Sequence, residues 1–421
     1  MNVLAVHEKA QVIQFRQLDN VEQQQESKIY TRSEVLPASI KVISAGGGGA
    51  NALNRMIESG LKGVEFISIN TDIQDLNEKS RADVKVQIGV KVTGGRGAGG
   101  VPEKGEKAAL EDQESIAAAV KGADMVFLAA GMGGGTGTGS AHVIARIAKS
   151  LGALVIAIVT TPFEYEGRYK KKLAMEGIAK LTGEVDAIIV IPNQNLFKII
   201  DGDTSWDEAY VLADKVLCLG VRGIAELITK TGFQNVDFAD VETIMKGKGQ
   251  ALLGIGFGKG ENRALDAVSN AIDNPLLEDT NIEGATGILV NIKASNQLKM
   301  VEINNILKAI KDKCDPDALI IHGLHIDPEL DDTIQLTVIA TGFDNVRGNE
   351  AKNGGGKKAL ETELFDFTKY VQKHEQSKHR EYLPYLPAKD YHDDLDVPAV
   401  IRNHNFNAAD DKADLNKAES I

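Results

Sequence analysis

The chain has 421 residues, 43% hydrophobic and 25% charged, a globular balance in a length that calls for two domains plus tails. A net charge of −13 argues against nucleic acid as a main partner and against an anionic membrane surface, because both need clustered Lys and Arg. Only Cys218 and Cys314 occur, with no CxxC, so a zinc site and a disulfide framework are excluded, and a reducing, cytoplasmic setting is expected.

Residues 1–38 are polar and weakly periodic, and read as an extension with little order. Residues 39–204 alternate apolar runs with helical patterns. Strands are expected at Ile40–Ala45, Val64–Asn70, Asp124–Ala130, Leu154–Thr160 and Ala187–Ile191. They are short and nearly all apolar, as strands buried on both faces must be, and together they predict a parallel α/β sheet. The most apolar stretch, Ala153–Val159, is far shorter than the ~20 residues a membrane span needs, so no membrane insertion is expected. Over 205–249 the pattern predicts a long helix opened by Ser205 and Glu208 as a capping box and closed by Gly232, a spine between two domains. Trp206 is expected to pack at its start, and Cys218 to be a small buried hydrophobe.

Residues 250–343 predict a second, smaller α/β unit. Its strands are Gly287–Lys293, Leu319–Ile326 and Ile334–Thr341, with an amphipathic helix Val301–Lys311 between the first two. His322 and His325 are expected to be structural. Residues 344–391 turn polar and charged, a composition suited to a flexible linker. An acidic–apolar island, Asp393–Arg402 within 392–403, follows it and suggests a peptide that orders on a partner. Residues 404–421 form a terminal tail.

Three glycine segments carry the chemistry. The run Gly131-Met132-Gly133-Gly134-Gly135-Thr136-Gly137-Thr138-Gly139-Ser140 lies between an apolar strand and a helix expected over His142–Leu151. Gly46-Gly47-Gly48-Gly49-Ala50-Asn51 follows the first strand, and Gly94-Gly95-Arg96-Gly97-Ala98-Gly99-Gly100 precedes Val101-Pro102-Glu103 and a helix. Strand, glycine loop and helix start form an arrangement that binds phosphate through backbone N–H groups and the helix dipole. Three such loops point to a polyphosphate. No GxxxxGK[ST] occurs, so this is not a P-loop NTPase. Taken alone, Gly46-x-Gly48 with Asp72 downstream also fits a dinucleotide-dependent oxidoreductase.

Gly133-Gly134-Gly135-Thr136-Gly137-Thr138-Gly139 is similar to the signature of the tubulin superfamily. Asn235-Val236-Asp237-Phe238-Ala239-Asp240 resembles the acidic loop of its FtsZ family, and Asp394-Leu395-Asp396-Val397-Pro398 resembles that family's C-terminal peptide. The resemblance spans about residues 39–343 plus the tail peptide. It implies a GTP-binding domain joined by a central helix to a smaller α/β domain, with a disordered tail. It further implies a polymerising GTPase of cell division, concentrated at mid-cell, that forms the cytokinetic ring.

At matched positions the resemblance implies that Gly47, Gly48, Gly49, Ala50 and Asn51 line the first loop. Asn70, Thr71 and Asp72, with Gly97, Ala98 and Gly99, flank the γ-phosphate. Gly133, Gly134, Gly135, Thr136, Gly137 and Thr138 hold phosphate, Glu166 binds ribose, Lys170 contacts phosphate or ribose, and Asn193 and Asp214 read the base. Asp237 and Asp240, with Asn235, act in hydrolysis on the next subunit's nucleotide; Asp240 can also cap a helix starting near Val241. Mg²⁺ is expected on the β/γ oxygens, with no dedicated protein metal site. The implied partners are further copies in a head-to-tail polymer and membrane-tethered adaptors of the FtsA-like, actin-related kind on Asp393–Arg402.

The sequence departs from the family at three places: Lys170 for Arg, Val101 for Asn and His142 for Pro. A GTP-binding filament scaffold with weak hydrolysis therefore stands beside the active GTPase as an alternative.

Overall fold

In the computed structural model the described residues are 38–200, 203–230, 234, 236–274 and 282–343. Residues 1–37 of the expected 1–38 extension, the linker, the adaptor peptide and the terminal tail lie outside them, as do Gly232 and Asn235.

The chain runs β1 (Ile40–Ala45), α1 (Gly46–Glu58), β2 (Glu65–Asn70), α2 (Ile73–Glu78), β3 (Val84–Gln87), α3 (Val90–Thr93), α4 (Pro102–Glu111), α5 (Gln113–Val120), β4 (Met125–Gly131), α6 (Thr136–Ser150), β5 (Leu154–Thr161), α7 (Arg168–Thr182) and β6 (Ala187–Pro192). It continues through α8 (Trp206–Thr229), α9 (Phe238–Met245), β7 (Gly249–Lys259), α10 (Arg263–Ile272), β8 (Gly287–Ala294), α11 (Met300–Lys311), β9 (Leu319–Ile326) and β10 (Thr333–Thr341).

One sheet connects all ten strands in the order β3-β2-β1-β4-β5-β6-β7-β10-β8-β9. Strands β1 to β6 are mutually parallel. β1 and β4 are buried along nearly their whole length, which is why they read as continuous apolar runs. Alternate residues feed two cores. Val42 and Phe127 pack with α1 and α8 on one face, and Ile43 and Leu128 with α4, α5, α6 and α7 on the other. β6 joins β7 over three residue pairs, Ala187 with Gly249 to Ile189 with Ala251. Beyond it β10 is antiparallel to β7 and β8, and a third core forms under α10 and α11.

The two-part α/β architecture and the central helix appear as expected, with the Ser205–Glu208 capping box formed. Four local readings are corrected. β3 was not anticipated, nor were β7 and α10. α6 begins at Thr136 rather than His142. α8 ends at Thr229, ahead of Gly232. Trp206 is 75% exposed and meets only the edge of Tyr210 among the ring contacts, so it does not pack into the start of α8. Cys218 and His325 are buried as expected.

Candidate functional site

In an open parallel sheet the ligand crevice lies at the carboxyl ends of the strands, where the strand order reverses. Here that point falls between β1 and β4. From β1 the chain proceeds outward to β2 and β3, and from β4 it proceeds the other way to β5 and β6. The two principal glycine loops leave β1 and β4 at their carboxyl ends, so the topology places them side by side.

The two helices that start there touch. Gly46 has φ +72°, and a Cβ on it would stand 2.9 Å from the Gly137 nitrogen and 3.2 Å from Thr136 Cβ. Any side chain would therefore separate the N-termini of α1 and α6. Neither helix has a side-chain cap or an acidic residue in its first turn. By contrast, Asp72, Ser205 and Asp237 cap α2, α8 and α9. Two adjacent uncapped helix starts leave their N–H groups and partial positive charge for a ligand anion. The third loop closes on the same spot: a Cβ on Gly135 would meet Ala98 Cβ at 2.8 Å and the Val101 nitrogen at 2.9 Å. Val101 precedes Pro102 at the N-terminus of α4 and offers no side-chain cap.

Polar side chains brace this frame. Thr71 and Thr136 share a hydroxyl–hydroxyl bond of 2.7 Å, which ties the β2 loop to the signature. Asn70 donates from Nδ2 to Asp75 at 2.8 Å and accepts from the Thr71 N–H at 2.8 Å. Asp72 accepts from the Gln74 and Asp75 N–H groups. Thr138 accepts from the Gly133 N–H at 2.8 Å, which leaves its own proton free to donate. Ala50 and Gly49 are buried, whereas Gly47, Gly48, Asn51, Gly99 and Gly134 are exposed.

Farther along the rim, Glu166 Oε1 accepts from the Phe163 N–H and Oε2 from Lys170 Nζ, both at 3.0 Å. An ionised carboxylate has about four lone-pair directions, so these two bonds leave room for hydroxyl donors. The Lys170 backbone abuts Gly133 (3.0 Å from its carbonyl oxygen to a Cβ placed there), so the start of α7 borders the signature loop.

Asp214 is the ninth residue of α8, its side chain 15% exposed and its Oδ2 3.4 Å from Arg55 Nε. Burial pushes its carboxyl up to about 6, against the opposing pull of Arg55. Asn193 is buried after β6, and its Oδ1 has no partner. A buried unpaired acceptor costs free energy until a ligand donor meets it. Tyr210, absent from the sequence reading, stands one turn before Asp214 on α8 and packs edge-on against Phe163 (ring centroids 5.3 Å apart). Its signal was the i, i+4 spacing of a ring and a carboxylate on one helix, a pairing able to offer a flat base both a face and an edge.

The acidic pair lies elsewhere. Asp237 caps α9, accepting from the Ala239 N–H at 3.5 Å, and Asp240 Oδ2 accepts from the Asp237 N–H at 3.3 Å. The helix thus starts at Phe238 instead of near Val241, and Asp237, not Asp240, is its cap. Both acids are exposed, with buried Val236 as the anchor between Gln234 and the cap. Gln234 bridges to Leu324 of β9. α9 leads into Gly249, which pairs with Ala187, the first residue of β6. The acids therefore sit at the amino edge of the parallel strands, and the glycine loops sit at the carboxyl edge.

Residues 39–201 match the model of the Tubulin/FtsZ family, GTPase domain, and residues 249–344 that of the FtsZ family, C-terminal domain. Among solved structures the chain is similar to an FtsZ dimer of M. jannaschii described as empty. The TM-score is 0.70 and the identity 41%, over 80% of this chain and 92% of that one. The chain belongs to the FtsZ family. GDP-bound CetZ1 from Haloferax volcanii shares the fold at TM-score 0.63 and 22% identity, over 73% of this chain and 95% of that one. A GTPγS-bound CetZ2 protofilament shares it at TM-score 0.60 and 21% identity, over 72% and 92%. FtsZ-family membership makes GTP hydrolysis the chemistry of this fold and overturns the dinucleotide-oxidoreductase reading of Gly46-x-Gly48. No helix among the described residues is long and apolar enough to cross a membrane.

Proposed function

We propose that this FtsZ-family chain is a cytoplasmic GTPase that assembles head-to-tail into filaments of the cytokinetic ring at mid-cell, with hydrolysis completed between subunits. The placement of Asp237 and Asp240 at the edge of the sheet opposite the glycine loops carries the reading. From Asp214 to the end of α8 is 15 residues, or ~22 Å at 1.5 Å per residue, too far for the acids to reach a nucleotide bound to their own subunit. A molecule with the pocket at one end and the acids at the other makes a heterologous contact that does not close, and an open filament follows.

In this reading the N-termini of α1 and α6 and the 97–99 segment hold the phosphates, Glu166 and Lys170 the ribose side, and Asn193 and Asp214 the guanine. A carboxylate at Asp214 accepts from guanine N1–H and the 2-amino group. Adenine presents a lone pair at N1 and no 2-amino group, and so leaves the carboxylate unpaired. The neighbour's Asp237 and Asp240, whose capping bonds are long and leave lone pairs open, orient and polarise the attacking water. Among the described residues no group of three His, Cys, Asp or Glu side chains forms a metal site. Mg²⁺ would ride on the nucleotide and supply charge neutralisation of the phosphates. Residues 39–204 act as the nucleotide-binding unit, 205–249 carry the spine and the acids, and 250–343 complete the assembling body. Residues 344–391 tether Asp393–Arg402, which recruits membrane-tethered, FtsA-like adaptors.

The test is a sedimentation and phosphate-release assay with Asp237→Ala. GTP pellets the wild type, and the variant binds GTP with unchanged affinity while turnover falls by two orders of magnitude or more, on the order of a lost catalytic acid–base group. Normal hydrolysis by Asp237→Ala would contradict the assignment. Low wild-type release from pelleted polymer would favour the weakly hydrolysing scaffold.

A further inference from the structure

Glu106 stands where three helices meet. It projects from α4, and its carboxylate lies between α6 and α7. Oε2 accepts from Lys180 Nζ of α7 at 2.8 Å, and Oε1 faces His142 Nε2 of α6 at 3.4 Å. His142 is buried, Glu106 is about one-third exposed and Lys180 just over half. Each of these helices begins at a different wall of the nucleotide pocket. α4 follows the third glycine loop, α6 starts inside the signature, and α7 starts after Glu166 and carries Lys170 in its first turn.

Close to the carboxylate α4 and α6 meet backbone to backbone. A Cβ on Gly139 of α6 would stand 2.7 Å from the Glu106 nitrogen. α7 meets α6 through the Thr138 methyl, which lies over Gly177. The glycine contact of α4 with α6 permits close approach but interlocks no side chains, so it fixes that crossing weakly. The polar contact above it supplies the missing lock. The Lys180 bond holds the Glu106 carboxyl below its usual range. Burial pushes the His142 imidazole down, against the pull of Glu106 and with Lys180 and Arg146 adding to the fall. His142 Nε2 faces the carboxylate, and its Nδ1 has no partner among the described residues.

We infer that Glu106 is a positioning residue for the nucleotide: by holding His142 and Lys180 together it fixes the spacing of the three helix N-termini that cradle the phosphates. The inference rests on the proposed GTP site and assigns the cradle's width to a carboxylate one turn into α4, which reaches α7 three turns beyond its start.

The experiment measures GTPγS affinity and melting temperature on the full chain for the wild type, Glu106→Gln, Lys180→Met, Lys180→Arg and the Glu106→Gln/Lys180→Met double variant. Lys172→Met is the control, since it removes an exposed 3.9 Å pair with Glu176 on the same helix. The expected result is a loss of about fivefold or more in affinity for Glu106→Gln and Lys180→Met, the size of one charge-assisted bond. The double variant is no weaker than either single one, Lys180→Arg restores binding, and the control matches the wild type. Unchanged affinity in both Glu106→Gln and Lys180→Met overturns the inference, whatever the melting temperature does, and an equal loss in the control overturns it too. A wild type that does not bind GTPγS overturns the GTP site itself, a result distinct from normal wild-type binding with unaffected variants. Lys180 is exposed, so its variants fold even where Glu106→Gln does not.

Discussion

In the proposed site, Asp214 would couple guanine recognition to pH. Burial outweighs Arg55 and raises its carboxyl to about 6, and only the ionised form offers both oxygens as acceptors to guanine N1–H and the 2-amino group. At pH 7 most of the population is charged; at pH 5 about a tenth is, so GTP affinity falls about tenfold between them. The stability of the free protein moves the other way. A carboxyl raised from 3.8 to about 6 contributes stability that is present below pH 4 and lost as pH rises through 6. Asp214→Asn should bind GTP weakly and with a flat profile over the same range, as titrated by fluorescence. An unchanged pH profile in Asp214→Asn would remove Asp214 from the site. The residue types at this site were legible from sequence because glycine, threonine and acid spacing report chemistry directly. Tyr210 was missed because an aromatic at helical spacing reads as core until its neighbours are known. Asn193's orphaned oxygen depends on packing that no local pattern encodes.

Helix α8 is the element that holds the two halves together, and one buried charge secures it. Glu226, 1% exposed, meets Lys230 at 2.7 Å, Arg222 at 2.8 Å and Lys293 of β8 at 2.9 Å. Its backbone carbonyl meets His325 Nε2 of β9 at 2.8 Å. Burial alone would raise this carboxyl, but Lys230, Arg222 and Lys293 together hold it at about 2. A depressed carboxyl contributes stability above its unfolded value of 4.5 and loses it as pH falls toward 2. Glu226→Gln should therefore lower unfolding free energy at pH 7 by about 3 kcal/mol, since it leaves Lys293 buried without its anion. Below pH 2 it should match the wild type in chemical denaturation. A variant as stable as the wild type at pH 7 would remove the network from the account of the spine. The elements that were legible share one feature: their burial is written in composition. β1 and β5 are mostly apolar, and α8 repeats its apolar face over 24 residues. β3 was not legible because it has four residues at a sheet edge, of which only Val86 is buried. β7 was not legible as a strand because it carries a glycine at every second position near its end. The reason lies across the interface, where a Cβ on Gly254 would stand 3.0 Å from the Ala271 carbonyl carbon of α10. Only the packed pair explains the glycines. α6 starting at Thr136 is the same case, a glycine-rich turn held helical by contact with α4.

At the scale of the molecule, polarity follows from topology. Parallel strands put every strand-to-helix loop at one edge, and the chain that leaves α8 emerges at the other. Each chain therefore presents its glycine loops at one edge and two acids at the opposite edge. Turnover per protomer should consequently climb with protein concentration and level off when assembly is complete, which a phosphate-release series across the pelleting threshold would read. Sequence suggested the acids and the glycine loops separately. Their placement at opposite edges needed the register of β6 with β7, a pairing of three residues that no linear pattern reveals. The central claim, that one subunit's acids act on the next subunit's GTP, is tested most directly by mixing two damaged chains. Asp237→Ala keeps the pocket and lacks an acid; Asp214→Ala keeps the acids and lacks the base contact. Each alone is nearly inactive, and random head-to-tail co-assembly of an equimolar mixture makes about a quarter of the interfaces whole. The account predicts recovery of about a quarter of wild-type phosphate release in co-pelleted polymer; a mixture no more active than its parts would contradict it.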